Sequence, residues 1–159
     1  MNRILLVVLL VLGLAALLVV SRRHRADLVA GLPPRIVCAS QGDALAQAGP
    51  TAAIPIRGTG SMAPYIPPAA PGLVQLDTVV AYVVLDPAAT YESVAIGALV
   101  LYTTNWTSHH VLHQAALKDR LGWIMSGLHN ERSETWERLT PASYKGTVAR
   151  VYVWTPPAR

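Results

Sequence analysis

The segment from Arg57 to Pro64 presents one serine in the way that a nucleophile requires. Ser61 follows Gly58 and Gly60 and precedes Pro64. Glycines let the backbone turn sharply and let a second backbone approach closely, and proline fixes the chain on the far side. A serine held in this way is rigid and approachable. The same residue types also dominate ordinary turns, so the pattern by itself leaves both interpretations open.

A serine nucleophile needs a base that reaches it in space, and three histidines offer one. His109, His110 and His113 fall in one run that is predicted to be extended. Because side chains alternate along a strand, His109 and His113 share a face and His110 lies on the other. An unperturbed imidazole has a pKa of about 6.5 and is suited to the role. Lys118 is predicted to lie in an exposed turn, where it would keep its proton, so histidine is favoured.

Composition argues against several other classes of site. A cluster of His109, His110, His113 and His129 could ligate zinc, but no HExxH or CxxC motif accompanies it, so we expect neither a metal nor a cofactor. Cys38 is the only cysteine and excludes an intrachain disulfide. The net charge of +4 is not gathered into a basic run outside the N-terminal region, so nucleic-acid binding is not expected.

The elements that must position these residues are predicted to be mostly strands. β-Branched and aromatic runs separated by glycine and proline are typical of a mainly β domain. The predicted strands are 51–57, 78–85, 98–103, 109–117, 123–126 and 147–154, with a short helix over 43–48 and a turn over 118–122. The first strand contains Pro55 and therefore suits a sheet edge.

The N-terminal region predicts a membrane anchor. Residues 4–20 carry no charged or polar side chain, which is close to the shortest run that spans a bilayer as a helix. A cleaved signal peptide would need a small-x-small site directly afterwards, and none follows. We therefore divide the chain into an anchor over 1–25, a connecting segment over 26–50 and a β-rich domain over 51–159.

Five segments, in order, resemble type I signal peptidases, the membrane-anchored serine proteases that cleave leader peptides from exported proteins. The Gly-Thr-Gly-Ser-Met-Ala-Pro run at 58–64 resembles the nucleophile box of that family, and the run at 111–116 resembles its histidine-type base strand. The remaining segments are 97–102, 127–130 with 133–134, and the closing strand 144–151. The resemblance implies the coiled β-sheet domain of signal peptidases and LexA-like repressors, preceded by one transmembrane helix.

The resemblance assigns catalytic roles position by position. Ser61 would be the nucleophile and His113 the general base, with His110 and His109 as second and third choices. The oxyanion would be bound by the backbone N–H of Ser61 and the hydroxyl of Thr59. These assignments are those of a Ser–His peptidase.

The residues beside the nucleophile are expected to contact substrate. They are Met62, Pro64 and Tyr65, although Met62 and Tyr65 are equally explained as packing residues. The substrate would be an extended leader peptide, bound by strand addition near the bilayer.

Two departures from the family pattern concern aspartates. Ala98 and Leu128 stand where the family has the aspartate of a Gly-Asp pair, and the second of these aspartates orients the base in histidine-type members. Asn130 or Glu134 is the expected replacement. These losses motivate an alternative function, a catalytically silent relative that acts as a binding module in a membrane complex. A self-cleaving repressor-type peptidase is disfavoured, because such proteins are soluble and use lysine.

The arginines around the apolar run and the family resemblance indicate opposite membrane orientations. Arg22, Arg23 and Arg25 follow the apolar run, and Arg3 precedes it. The positive-inside rule then favours a cytoplasmic C-terminal domain. The resemblance implies an extracytoplasmic catalytic domain on a single-pass anchor.

Overall fold

The computed structural model describes residues 10, 12–14, 19, 21, 28–58, 60–68, 75–104, 110–129 and 134–155. These residues form a mainly β protein, as the sequence predicts. The elements are β1 (Arg35–Val37), α1 (Gln41–Ala48), β2 (Ile54–Gly58), β3 (Gln75–Leu85), β4 (Leu99–Thr103), β5 (His110–Asp119), β6 (Gly122–Ser126), β7 (Glu134–Leu139) and β8 (Tyr144–Val153). Most of the predicted anchor lies outside the described residues, and those that are described include no helix long and apolar enough to cross a membrane.

The strands form one curled sheet with β8 at its centre. The order is β2-β3-β8-β4-β5-β6-β7, and neighbours in it are antiparallel. One edge of β8 pairs with β3. Its other edge pairs first with β4, where Val100 is opposite Thr147, and then with the parallel strand β1, where Ile36 is opposite Tyr152. The sheet curls into a half-barrel, and its long strand β8 pairs with three other strands.

Strand β4 is buried on both faces. Leu99 and Leu101 pack into one core with Leu112, whereas Val100 and Tyr102 pack into a second core. Because side chains alternate along a strand, β4 separates these two cores. Strand β5 pairs with β4 along its first half, and its Leu112 belongs to the first core.

Helix α1 covers a third, smaller core on the β3–β8 part of the sheet. The helix begins after Ser40, whose Oγ accepts a hydrogen bond of 3.1 Å from the N–H of Asp43. Ala44 and Ala48 are buried against Tyr82 and Trp154. The segment between 35 and 48 is therefore packed on the sheet.

The sequence locates six of the eight strands and the helix, with shifts at their ends. It predicts neither β1 nor β7, and it begins β3 three residues late. Its placement of Lys118 is wrong: Lys118 lies within β5, and the hairpin turn between β5 and β6 is shorter than predicted, at Arg120 and Leu121. The turn closes where Asp119 pairs with Gly122.

Candidate active site

The turn that carries Ser61 leaves the end of β2 and is closed by its own backbone. The N–H of Ala63 donates to the carbonyl of Gly60 at 3.0 Å, and the N–H of Ile66 donates to the carbonyl of Met62 at 3.0 Å. Gly60 has a φ of 82°, a left-handed conformation that favours glycine. Local backbone geometry thus explains why a glycine precedes the serine.

Contacts with other parts of the chain fix this turn in place. Met62 and Ile66 are buried in the first core. The N–H of His129, in the loop after β6, donates to the carbonyl of Ser61 at 2.9 Å. Ser61 is therefore held from both sides, by apolar packing and by a backbone hydrogen bond from a distant loop.

The His113 side chain meets this turn. Its Nε2 lies 3.0 Å from Oγ of Ser61. His113 is 5% exposed, and Ser61 is half-buried. This distance is within hydrogen-bond reach, so His113 is placed to accept the hydroxyl proton if its Nε2 carries the lone pair.

A tyrosine that sequence reasoning missed lies on the other side of the imidazole. The hydroxyl oxygen of Tyr102 is 3.1 Å from Nδ1 of His113. In the β4–β5 pairing, Tyr102 is opposite Val111 and His113 is opposite Val100, so the two rings are diagonal neighbours on one face. The register of these two strands is the signal that could have identified Tyr102, once β4 and β5 had been paired.

The alternative bases have different positions. His110 is exposed, and strand alternation places it on the opposite face of β5 from His113. His109 lies outside the described residues. The ammonium of Lys118 is 5.6 Å from the ring centroid of Tyr91 and 5.4 Å from that of Trp123, which is a cation–π arrangement. Lys118 is exposed, whereas a lysine that acts as a base needs to be desolvated.

The expected orienting and oxyanion groups are only partly described. Thr59 and Asn130 lie outside the described residues. Glu134 begins β7, where its backbone pairs with Met125, and its side chain also lies outside them. Leu128, which the resemblance aligns with an aspartate, packs against the first core. That position thus supplies apolar packing rather than a carboxylate.

The three residues expected to contact substrate have unlike environments. Met62 is buried in the core and Pro64 is exposed. Tyr65 is partly buried, and its hydroxyl donates a hydrogen bond to the carbonyl of Pro33. Burial raises the pKa of Tyr65 to about 12, against the smaller opposing effect of the nearby Arg35 cation.

No group of three or more histidine, cysteine or acidic residues is arranged to hold a metal ion within the part of the chain that the structure describes. The chemistry of the described site is that of a hydroxyl, an imidazole and a phenol.

Comparison with known proteins adds no relative: no family model, no curated protein and no solved structure matches the chain. Any function for the protein must therefore be argued from the geometry of the site and from the motifs of the sequence.

Proposed function

We propose that the protein is a membrane-anchored serine endopeptidase that cleaves leader peptides of exported proteins. The observation that carries the proposal is the contact of 3.0 Å between Oγ of Ser61 and Nε2 of His113. Residues 52 positions apart in the chain come into this contact only through the tertiary fold. A buried imidazole against a turn serine is the minimal arrangement for nucleophilic catalysis.

Acyl transfer would proceed in two stages. His113 takes the hydroxyl proton as Oγ of Ser61 bonds to the scissile carbonyl carbon. The imidazolium then gives that proton to the leaving amine, the C–N bond breaks, and the acyl group remains as an ester on Ser61. Water next adds to the ester with His113 again as base, which releases the carboxylic acid and restores the serine. The N–H of Ser61 and the hydroxyl of Thr59 are the proposed oxyanion donors.

An extended peptide has a suitable place beside the nucleophile. Strand β2 ends the strand order of the described sheet and leads directly into the Ser61 turn. A substrate strand added along β2 would form main-chain hydrogen bonds and bring one of its peptide bonds to Ser61. Of the three residues expected to contact substrate, Met62, Pro64 and Tyr65, only Pro64 is exposed.

The membrane belongs to the same proposal. A single-pass anchor over residues 1–25 would hold the enzyme on the surface that carries its substrate and so raise the effective concentration of both. The mainly β fold, with the nucleophile in a turn and the base on a strand, is consistent with a signal-peptidase or LexA-like domain. We propose an extracytoplasmic location for it, because leader peptides are removed there.

Substitution of Ser61 by alanine tests the proposal in membranes that contain the full chain. With a leader-bearing substrate, we expect S61A to lower kcat/KM by roughly a thousandfold or more, because the nucleophile is lost. Ser93→Ala is the matched control, since Ser93 lies in an exposed turn, where its hydroxyl accepts from the N–H of Thr90 and donates to the carbonyl of Thr90. Cleavage that survives S61A would eliminate the proposal.

A serine-directed acylating probe separates this enzyme from a catalytically silent binding module. An active site should form a covalent adduct on Ser61 in the wild-type chain and none in His113→Gln, as read by mass spectrometry of peptides. Equal labelling of several exposed serines, or none, would favour the silent module.

A further inference from the structure

We propose that Tyr102 is the positioning residue of this site and that its hydroxyl oxygen holds His113 in the tautomer with the proton on Nδ1. This role rests on the proposed function, but a separate contact supports it. The hydroxyl oxygen of Tyr102 lies 3.1 Å from Nδ1 of His113.

The requirement comes from the chemistry of imidazole. A neutral imidazole has one N–H and one lone pair on its two nitrogens. Nε2 must carry the lone pair to accept the Ser61 proton, so Nδ1 must carry the hydrogen. That N–H then needs an acceptor on the side away from Ser61, and the phenol oxygen of Tyr102 is in position to be one. In the opposite tautomer Tyr102 would donate to Nδ1, and His113 could not act as a base.

Burial makes this hydrogen bond a strong determinant of ring orientation. Tyr102 is 1% exposed and His113 is 5% exposed. Their rings lie 6.2 Å apart at 53°, on adjacent antiparallel strands. A buried polar group costs free energy when it loses its partner, so rotation of the imidazole away from Tyr102 is disfavoured. The register of β4 and β5 thus sets the direction in which Nε2 points.

Tyr102 performs with a neutral oxygen what an aspartate performs in a Ser–His–Asp triad. An aspartate also stabilises the imidazolium by charge, which a neutral phenol does to a much smaller extent. Leu128 occupies the position where the family that the sequence resembles has that aspartate, and Leu128 packs against the first core. The chain therefore combines an apolar residue at that position with a hydroxyl from β4 at the imidazole.

The test is the tautomer of His113 in the full chain, measured from the ¹⁵N chemical shifts of labelled histidines, with H113Q to assign the signal. We expect the neutral wild-type ring to be protonated on Nδ1 and Tyr102→Phe to give a mixture of tautomers. The matched control is Tyr144→Phe, because Tyr144 packs against the same core and its hydroxyl bonds to Thr147 Oγ1 instead. That control should leave the His113 signals unchanged.

A kinetic measurement gives the second readout. We expect Y102F to lower kcat by about tenfold with little change in KM, the order expected for one neutral hydrogen bond. Tyr144→Phe should leave both constants unchanged. A wild-type ring protonated on Nε2, or a Y102F ring with an unchanged tautomer, would overturn the role of Tyr102. Because the tautomer is measured without substrate, this outcome is distinct from failure of the peptidase proposal, which S61A decides.

Discussion

The expected chemical role of each residue in this site depends on its neighbours. The hydroxyl of Ser61 differs from that of an ordinary surface serine because Nε2 of His113 lies 3.0 Å from its Oγ. The position of His113 on β5 places its imidazole between two hydroxyl groups, with Tyr102 at Nδ1 and Ser61 at Nε2. The two histidines of β5 differ in this respect, because His110 is exposed and His113 is buried. Side chains of one chemical type therefore have different expected roles.

The pair of histidines allows a matched test of the base. We expect His113→Gln to lower kcat/KM by roughly a thousandfold or more, because an amide cannot take the serine proton. His110→Gln should leave activity little changed, since His110 is exposed on the opposite face. Activity of both variants on a leader peptide is the measurement, with thermal unfolding as the check that H113Q folds. Loss of activity in H110Q alone would assign the base differently.

At the scale of elements, the site is assembled from a turn and two strands that are themselves fixed by other contacts. The Ser61 turn is joined to the loop after β6 through the N–H of His129. Strand β5 is joined to the segment before β1 through Gln114, which is 1% exposed. The side-chain nitrogen of Gln114 donates to the carbonyl of Leu28 at 2.6 Å and to that of Gly97 at 3.0 Å. The side chain of Gln114 thus fixes β5, the strand that carries His113, to two other parts of the chain.

The role of Gln114 leads to a prediction about stability. Gln114→Leu removes the donor and leaves the carbonyls of Leu28 and Gly97 without it, so we expect a loss of about 2 kcal/mol in the free energy of unfolding. Gln47→Leu is the control, because Gln47 bonds Asp43 on the exposed face of α1. Denaturant unfolding of the two variants measures the difference. Equal stability of Q114L and Q47L would show that this buried hydrogen bond contributes little.

The approach of the same segment to the sheet explains one glycine. A Cβ on Gly31 would lie 2.5 Å from the carbonyl carbon of Gly97, which no side chain tolerates without a backbone shift. Gly31 therefore lets the chain pass directly over the start of β4, between the contact at Leu28 and the contact at Pro33. The segment before β1 therefore contacts the rest of the protein at several points, in addition to the pairing of β1 with β8.

At the scale of the whole molecule, the segment before β1 packs against the turn that carries Ser61. The Tyr65 hydroxyl, four residues after Ser61, donates to the carbonyl of Pro33. The N–H of Val151 on β8 donates to the carbonyl of Pro34 at 3.0 Å, directly beside it. The central strand, the N-terminal segment and the turn are therefore joined in one region, with the Tyr65 phenol partly buried among them.

This arrangement predicts a loss of stability at alkaline pH. Burial raises the pKa of Tyr65 to about 12 in the folded protein. The unfolded chain releases this proton near its ordinary pKa of about 10. The contribution of Tyr65 to stability is therefore complete below the unfolded pKa and is lost as pH rises from there through the folded pKa. We expect the stability of wild type relative to Tyr65→Phe to fall over this range. A difference that stays constant in urea unfolding at each pH would contradict this role.

Local sequence already determines much of the fold. Runs such as 78–85 and 98–103 contain mainly β-branched, aliphatic and aromatic residues, and both are strands in the structure. β7 was not predictable in this way, because its Glu-Thr-Trp-Glu-Arg-Leu sequence has few apolar residues, and pairing with β6 makes it a strand. β1 has only three residues and exists through its parallel pairing with β8. Both depend on partners that are distant along the chain.

Some features of the candidate site likewise follow from local sequence, and others depend on contacts between distant parts of the chain. The sequence by itself determined Ser61 as the candidate nucleophile and restricted the base to a few histidines, because glycine, proline and imidazole have properties that act locally. The family resemblance ranked His113 first among them, but only the tertiary structure brings its Nε2 to 3.0 Å from Oγ of Ser61 and places the hydroxyl of Tyr102 at its far nitrogen. These contacts depend on the register between β4 and β5 and on the return of the Ser61 turn to β5. Register and long-range closure arise from packing of the whole sheet, which no local pattern encodes.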